Sequence, residues 1–318
     1  MRAVWLREFG GPEVLVEGDA PRPVPGPGQV LIEVAYANTT FVETQFRATG
    51  RGPFPAQPPL IPGNGVGGVV AATGPGVDTG LLGRRVVSGT GGSGGYAEYA
   101  LAAADGLYPV PEALALDEAV ALLADGRTAV LQLDAAAVKP GDRVLVEAAA
   151  GGVGGLLVQL ARSAGATVVA AAGGEHKLAV ARDLGAAETV DYRAPGWTDR
   201  VAPVDVVLDG VGGEIGRAAF GLLRPGGRMV SFGLASGEWS GIEEGEAEAR
   251  QVTLLRPVPS PVLLRRATEQ ALGEAAAGRL RPTIGQRFPL ARAADAHRAM
   301  ASRATVGKTL LEVRPTAG

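Results

Sequence analysis

From Arg143 to Gly233 two kinds of apolar pattern take turns along the chain. Short continuous runs, "RVLVEA", "TVVAAA", "ETVDY", "VDVVLDG" and "GRMVSFG", have the length and Val content of buried parallel strands. Between them lie "GGLLVQLARSAGA", "EHKLAVARDLGA" and "EIGRAAFGLL", where apolar positions recur at helical spacing. In the first of these, Val153, Leu157, Leu160, Ala161 and Ala164 form one stripe that can pack on a sheet. That helix and the next are each followed by a glycine, Gly165 and Gly185, as left-handed C-terminal caps favour. Strands alternating with amphipathic helices predict a doubly wound parallel sheet.

The chain before Tyr108 is patterned differently. β-like runs ("MRAVWL", "QVLIEVAY", "VGGVVAAT", "RRVVSGT", "GYAEYALA") are separated by Gly- and Pro-rich breakers such as "PRPVPGPGQ", which predicts an antiparallel, barrel-like domain. Residues 117 to 137 are rich in Ala and Leu and read as two helical stretches broken near Gly126. Beyond Ser236 the pattern weakens, then resumes in a β-like "VTLLRPV", a helix-rich tail and a closing strand, "KTLLEV".

Composition narrows the function. With 318 residues, 46% hydrophobic and 20% charged, the chain suits two folded domains. No apolar stretch reaches the ~20 residues of a bilayer span, and the start lacks the pattern of a secretory signal, so no membrane partner and a cytoplasmic location are expected. A net charge of −3 and a pI near 5.6 offer no basic footprint for nucleic acid. The absence of cysteine excludes disulfides, thiolate catalysis and cysteine-ligated zinc.

The candidate chemistry centres on "EAAAGGVGG", residues 147 to 155, which follows a strand and opens a helix. It carries Ala149-x-Gly151-x-x-Gly154 where a dinucleotide site usually has three glycines. Gly151 or Gly152 lets the backbone approach a pyrophosphate, and Gly154 lets the helix pack close to the strand. A plain strand-to-helix turn is the alternative. At the end of the second strand, "VVAAAGGEHK" has glycines where NAD-binding proteins carry an acidic residue. Gly173 leaves room for a 2′-phosphate, Lys177 can pair with it and Tyr192 can hydrogen-bond it, so NADPH is the expected cofactor. An inward Glu175 would oppose this, and Lys177 could instead be a solvated helix residue.

These motifs, with "LAVARDLGAAETVDYR", "LLRPGGRMVSFG" and "RLRPTIGQRFPLARAADAHRAMASRATVGKTLL", resemble the zinc-independent quinone oxidoreductase branch of the medium-chain dehydrogenase/reductases. The resemblance implies an α/β fold, with a Rossmann NADPH-binding domain at 123–261 and a GroES-like β-barrel-type catalytic domain at 1–122 and 262–318. It also implies NADPH in the cleft between them. It places the cofactor on Ala148, Ala149, Gly151, Gly152, Val153 and Gly154, with Gly173, Lys177 and Tyr192 at the 2′-phosphate. Val211, Phe232 and Gly233 would lie by the nicotinamide, and Lys308 would approach from the C-terminal segment. Thr128 in "DGRTAV" resembles a turn near the nicotinamide, although a helix-breaking turn without ligand contact fits equally. Zinc-dependent relatives carry Gly-His-Glu where this chain has Gly63-Asn64-Gly65. With only His176 and His297 present, no zinc ligand set is expected. His297 reads as a packing or surface residue.

On the substrate side the resemblance points to "ANTTFVETQFRATG". There Asn38, Thr40 or Gln45 would orient a carbonyl, and Gln45 replaces a frequent tyrosine, leaving the proton to water. The expected reaction is hydride transfer from NADPH to a quinone or an α,β-unsaturated carbonyl, both small molecules. One rival is an enoyl-thioester or enone reductase with a basic mouth formed by Arg47, Arg51 and Arg256. Another is a non-catalytic NADPH-binding, redox-responsive protein. "VTLLRPV" could be a sheet edge that pairs with its copy in a homodimer, or a buried terminal strand.

Overall fold

The computed structural model describes residues 1–54 and 56–314. Strands β1 (Arg2–Leu6) and β2 (Leu15–Asp19) pair antiparallel, with Leu6 opposite Leu15. The pleat of β1 sends Ala3 to one small cluster with Ala20 and Ala97, and sends Val4 and Leu6 into the main core of this part.

The spine of the first sheet is β3 (Gln29–Thr39). It leads straight into helix α1 (Phe41–Thr49), an element that the β-like reading of this region did not anticipate. Its start signal was nevertheless in the sequence: Thr40 and Glu43 form a capping box, and Gly50 closes the helix in the left-handed region. Strands β4 (Gly65–Thr73), β5 (Arg85–Gly89), β6 (Tyr99–Ala103) and β7 (Tyr108–Pro109) follow.

Helix α2 (Leu116–Ala136) is continuous, which corrects the expected break at Gly126. One interior glycine costs a helix only about 1 kcal/mol relative to alanine. Burial of Val120, Leu123, Ala129 and Val130 along α2 outweighs it. Thr128 therefore sits inside a helix rather than in a turn.

Next come β8 (Arg143–Glu147), α3 (Gly152–Ser163), β9 (Thr167–Ala172), α4 (Glu175–Asp183) and β10 (Glu188–Asp191). They are followed by β11 (Val204–Asp209), α5 (Gly213–Gly221), β12 (Leu223–Ser231), α6 (Glu244–Ala249) and β13 (Thr253–Leu255). The six strands are all parallel, in the order β10-β9-β8-β11-β12-β13. This is the doubly wound order with its switch point between β8 and β11, where ligands of such sheets bind. Helix α3 buries a broader face than the expected stripe. Gly154 through Val158 and Ala161 are buried, while Val153, Leu160 and Ala164 are half-buried. Gly165 and Gly185 take φ of +83° and +101°, the left-handed caps that the sequence predicts.

The chain ends with α7 (Pro261–Ala276), β14 (Ile284–Pro289), α8 (Ala293–Ala301) and β15 (Lys308–Glu312). β15 pairs with the second half of β3, whose first half pairs with β6, so the last strand completes the first sheet. Two compact units result. One comprises Met1–Ala124, Leu272–Arg279 and the chain from Ile284 on; the other comprises Asp125–Ala271 and Leu280–Thr283. Among the described residues no helix is long and apolar enough to cross a membrane.

Candidate active site

In the second unit β8 ends at Glu147 and the chain turns through Ala148, a non-glycine residue at φ +47°. The Gly151 N–H donates to the Ala148 carbonyl over 2.7 Å, and the Ala149 N–H donates to Ala171 over 3.1 Å, tying the turn to β9. Gly151, the N-cap of α3, brings no side-chain acceptor to the first turn of the helix. A Cβ on Gly154 would overlap the Ala148 carbonyl oxygen, so only glycine permits this approach of helix to turn. The carboxylate of Asp125, from α2, lies directly against Gly152. The sequence reading missed it, because α2 is remote in the chain from the glycine turn.

At the end of β9 the Arg193 side chain covers the backbone of Gly173 and Gly174, with Tyr192 beside it over Gly173. Arg193 Cδ stands 3.1 Å from where a Gly173 Cβ would be, and Tyr192 Cε2 stands 3.3 Å from it. Arg193 also pairs with Asp191 at 3.2 Å, and this hydrogen-bonded partner holds the Asp191 carboxyl below its ordinary range. Lys177 is half-buried near the start of α4. Lys177, Tyr192 and Arg193 therefore belong to the elements that surround the Gly173–Gly174 corner. Arg193 was absent from the expected set, although "VDYR" places it beside Tyr192.

The ends of β11 and β12 meet at the switch point. Val211 is buried, and its N–H lies 3.1 Å from Glu147 Oε2 and 3.2 Å from Asp209 Oδ1. The Gly212 N–H donates to Asp209 Oδ1 over 2.7 Å, and the Ser231 hydroxyl donates to Asp209 Oδ2 over 3.0 Å. The Phe232 N–H bonds the Asp209 carbonyl, the Phe232 ring covers Gly210, and Gly233 lies against the Gly210 backbone. The expected trio Val211, Phe232 and Gly233 is thus brought together. Glu147, the first residue of the glycine-rich stretch but given no role by it, is buried beneath the trio, and burial pushes its carboxyl well above the usual range, reinforced by the charge of Asp209.

In the first unit Asn38 is buried near the end of β3, and its Oδ1 has no hydrogen-bond donor. Thr40 gives its N–H (2.6 Å) and its hydroxyl (2.8 Å) to Glu43 Oε2, while the Asn64 N–H donates to Glu43 Oε1 over 2.8 Å. Burial raises the Glu43 carboxyl, against these hydrogen bonds and the charge of Lys308, which is itself buried at the start of β15. Gln45 is half-buried on α1. Arg47 is buried and its guanidinium donates to the Gly10 carbonyl, which withdraws it from the basic mouth of the thioester rival; Arg51 and Arg256 are exposed. A cavity of about 580 Å³ in this unit is lined by Met1, Trp5, Pro21, Ile61, Thr90 and Tyr99, among others, and takes in neither Asn38 nor Thr40 nor Gln45.

The donor set does not suit zinc. Asn64 stands where a ligating histidine would, and its Oδ1 accepts the Gly92 N–H over 2.7 Å. His297 is fully buried and bonded to Tyr96, and His176 is exposed on α4. Among the described residues no group of three or more His, Asp or Glu could hold a metal ion.

A six-stranded sheet in doubly wound order with a glycine turn at its switch point, together with a unit built on a seven-stranded antiparallel-rich sheet, defines the medium-chain dehydrogenase/reductase class. Residues 26–112 match the alcohol dehydrogenase GroES-like domain, and residues 184–311 match the zinc-binding dehydrogenase family. The chain is 32% identical to a quinone oxidoreductase of Pseudomonas aeruginosa, over 98% of this chain and 99% of that one. It is 33% identical to a 2-haloacrylate reductase of a Burkholderia species, over 97% and 98%. The solved structure of Escherichia coli quinone oxidoreductase complexed with NADPH superposes with a TM-score of 0.90 at 28% identity, covering 98% of this chain and all of that one. The chain belongs to the quinone oxidoreductase family of the medium-chain dehydrogenase/reductase superfamily and is an oxidoreductase.

Proposed function

We propose that this protein uses NADPH to reduce a quinone or a related α,β-unsaturated carbonyl, without a metal. The observation that carries the reading is the corner at Gly173 and Gly174, where β9 itself ends without an acidic residue, Arg193 and Tyr192 pack over the backbone, and the Asp191 carboxylate is paired with Arg193. Such a corner favours a 2′-phosphate over a free ribose diol. The first-turn N–H groups of α3, at Gly152, Val153 and Gly154, would hold the pyrophosphate, and Lys177, Tyr192 and Arg193 the 2′-phosphate. Thr128, Val211, Phe232 and Gly233 would flank the nicotinamide. When bound, NADPH supplies the hydride.

The chain's own residues supply orientation and exclusion of water. Gln45 is the freest of the three substrate-side candidates, because Thr40 is committed to Glu43 and Asn38 is buried. It would hydrogen-bond the acceptor's carbonyl oxygen, where charge develops. Quinones need little proton assistance, which agrees with a glutamine rather than a tyrosine at position 45. The names of the two relatives, a quinone oxidoreductase and a 2-haloacrylate reductase, span the acceptor classes proposed. The edge strand β13 would pair with its copy in a homodimer.

The test follows nicotinamide oxidation with NADPH or NADH against a panel of quinones, enones and enoyl-thioesters. NADPH-preferring turnover of quinones is expected. Turnover of thioesters alone would favour the rival enzyme, and NADPH binding without turnover of any acceptor would favour a non-catalytic role.

A further inference from the structure

Glu147 and Asp209 end the two strands that flank the switch point, and both are wholly buried. One N–H, that of Val211, lies within hydrogen-bond distance of an oxygen of each, at 3.1 and 3.2 Å. Two carboxyl oxygens that converge on one N–H stand close together, and the nearness of Asp209 adds to burial in pushing the Glu147 carboxyl up. Asp209 is otherwise well supplied, by the Gly212 N–H and the Ser231 hydroxyl, and it packs on Gly216 of α5. Glu147 is not. Its Oε1 receives no hydrogen bond from an N–H or a hydroxyl. Two adjacent carboxylates in a dry site cannot both be charged, so the proton resides on the less well solvated one, Glu147. Among the described residues Asp209 is the only charged group that acts on Glu147 from the packed elements: β9 presents Ala171 in register, β12 presents Ser231, and the turn presents backbone N–H groups.

We infer that Glu147 and Asp209 are a positioning pair that shares one proton and thereby holds the Val211–Gly213 turn in the shape that receives the cofactor. Loss of the proton places two charges on either side of the Val211 N–H and pushes apart the strand ends that carry the turn. The role rests on the NADPH reading above, whereas the shared proton does not. Neither residue touches the reacting atoms.

The experiment measures NADPH dissociation from the protein by fluorescence titration between pH 6 and 10, for the wild type, Glu147→Gln and Asp209→Asn. Glutamine keeps the shape and donates to Asp209 at every pH. Wild-type affinity should fall at least threefold toward pH 10, while Glu147→Gln stays flat by comparison. The residues of the Gly173–Gly174 corner are the same in both proteins, so the difference belongs to the pair. Parallel curves for wild type and variant overturn the proposal. Should Glu147→Gln fail to fold, Asp209→Asn removes the same repulsion and must show the same flattening. Thermal melting without cofactor gives an independent reading. A buried Glu with a raised folded pKa loses stability as pH rises above its unfolded value, so Glu147→Gln should gain on the wild type from pH 5 upward. If that gain is seen but NADPH binds at no pH, the cofactor reading and the positioning role fail together while the shared proton stands. If no gain is seen, the shared proton is refuted.

Discussion

The phenol of Tyr96 lies 3.0 Å from Nε2 of His297, edge to face, and both side chains are fully buried. The same phenol lies 3.2 Å from the Thr39 hydroxyl, one residue from Asn38. The helix bearing His297 is thereby fastened to β3, the strand that carries Asn38. The Nδ1 atom has no partner, and burial, reinforced by the charge of Arg47, lowers the histidine to a pKa of about 3.

This pair predicts acid sensitivity. Above pH ~6.5 His297 is neutral in folded and unfolded chains alike; below it the unfolded chain takes up a proton that the folded one refuses. Stability should fall by up to about 1.4 kcal/mol per pH unit between pH 6.5 and 3, beyond the loss due to carboxylates. Urea unfolding of wild type and His297→Gln across this range isolates the histidine's share, and identical slopes would contradict it.

Removing the Tyr96 hydroxyl leaves a buried imidazole with neither nitrogen paired. Tyr96→Phe should cost about 1–3 kcal/mol at pH 7. Calorimetric melting checks this, and an unchanged midpoint would mean that the hydrogen bond adds nothing.

Arg193 predicts cofactor preference. If it holds the 2′-phosphate, Arg193→Ala should raise the KM for NADPH roughly tenfold and leave that for NADH nearly unchanged, since charge-assisted bonds to phosphate are the strong ones. Equal effects on both cofactors would assign Arg193 only to the Asp191 ion pair.

Gly154 predicts both a stability and a binding defect. Valine there must displace the Ala148 carbonyl, so Gly154→Val should lose about 2–3 kcal/mol and most NADPH affinity. A folded variant with native affinity would show that α3 can shift without disturbing the turn.

Glu43 accepts two hydrogen bonds from Thr40 at the start of α1 and one from the Asn64 N–H, which ties α1 to the Asn64 loop. Glu43→Ala leaves backbone donors at Thr40 and Asn64 unpaired and should cost about 2–4 kcal/mol. Chemical denaturation would show it, with a lowered midpoint at constant slope.

The sequence by itself determined the doubly wound sheet, the glycine turn and its caps, because strand and helix periods, turn glycines and C-terminal caps are local properties of a chain. It misjudged α2, because a glycine's local cost is set against burial that no local window reports. Arg193 was within reach of sequence reasoning, one position from Tyr192. Asp125 against Gly152, the Tyr96 to His297 bond and the Glu147–Asp209 pair were not. Their partners are far apart in the chain, and a carboxyl or imidazole acquires its chemistry from the water it loses and the charges it meets. Only the tertiary structure fixes those.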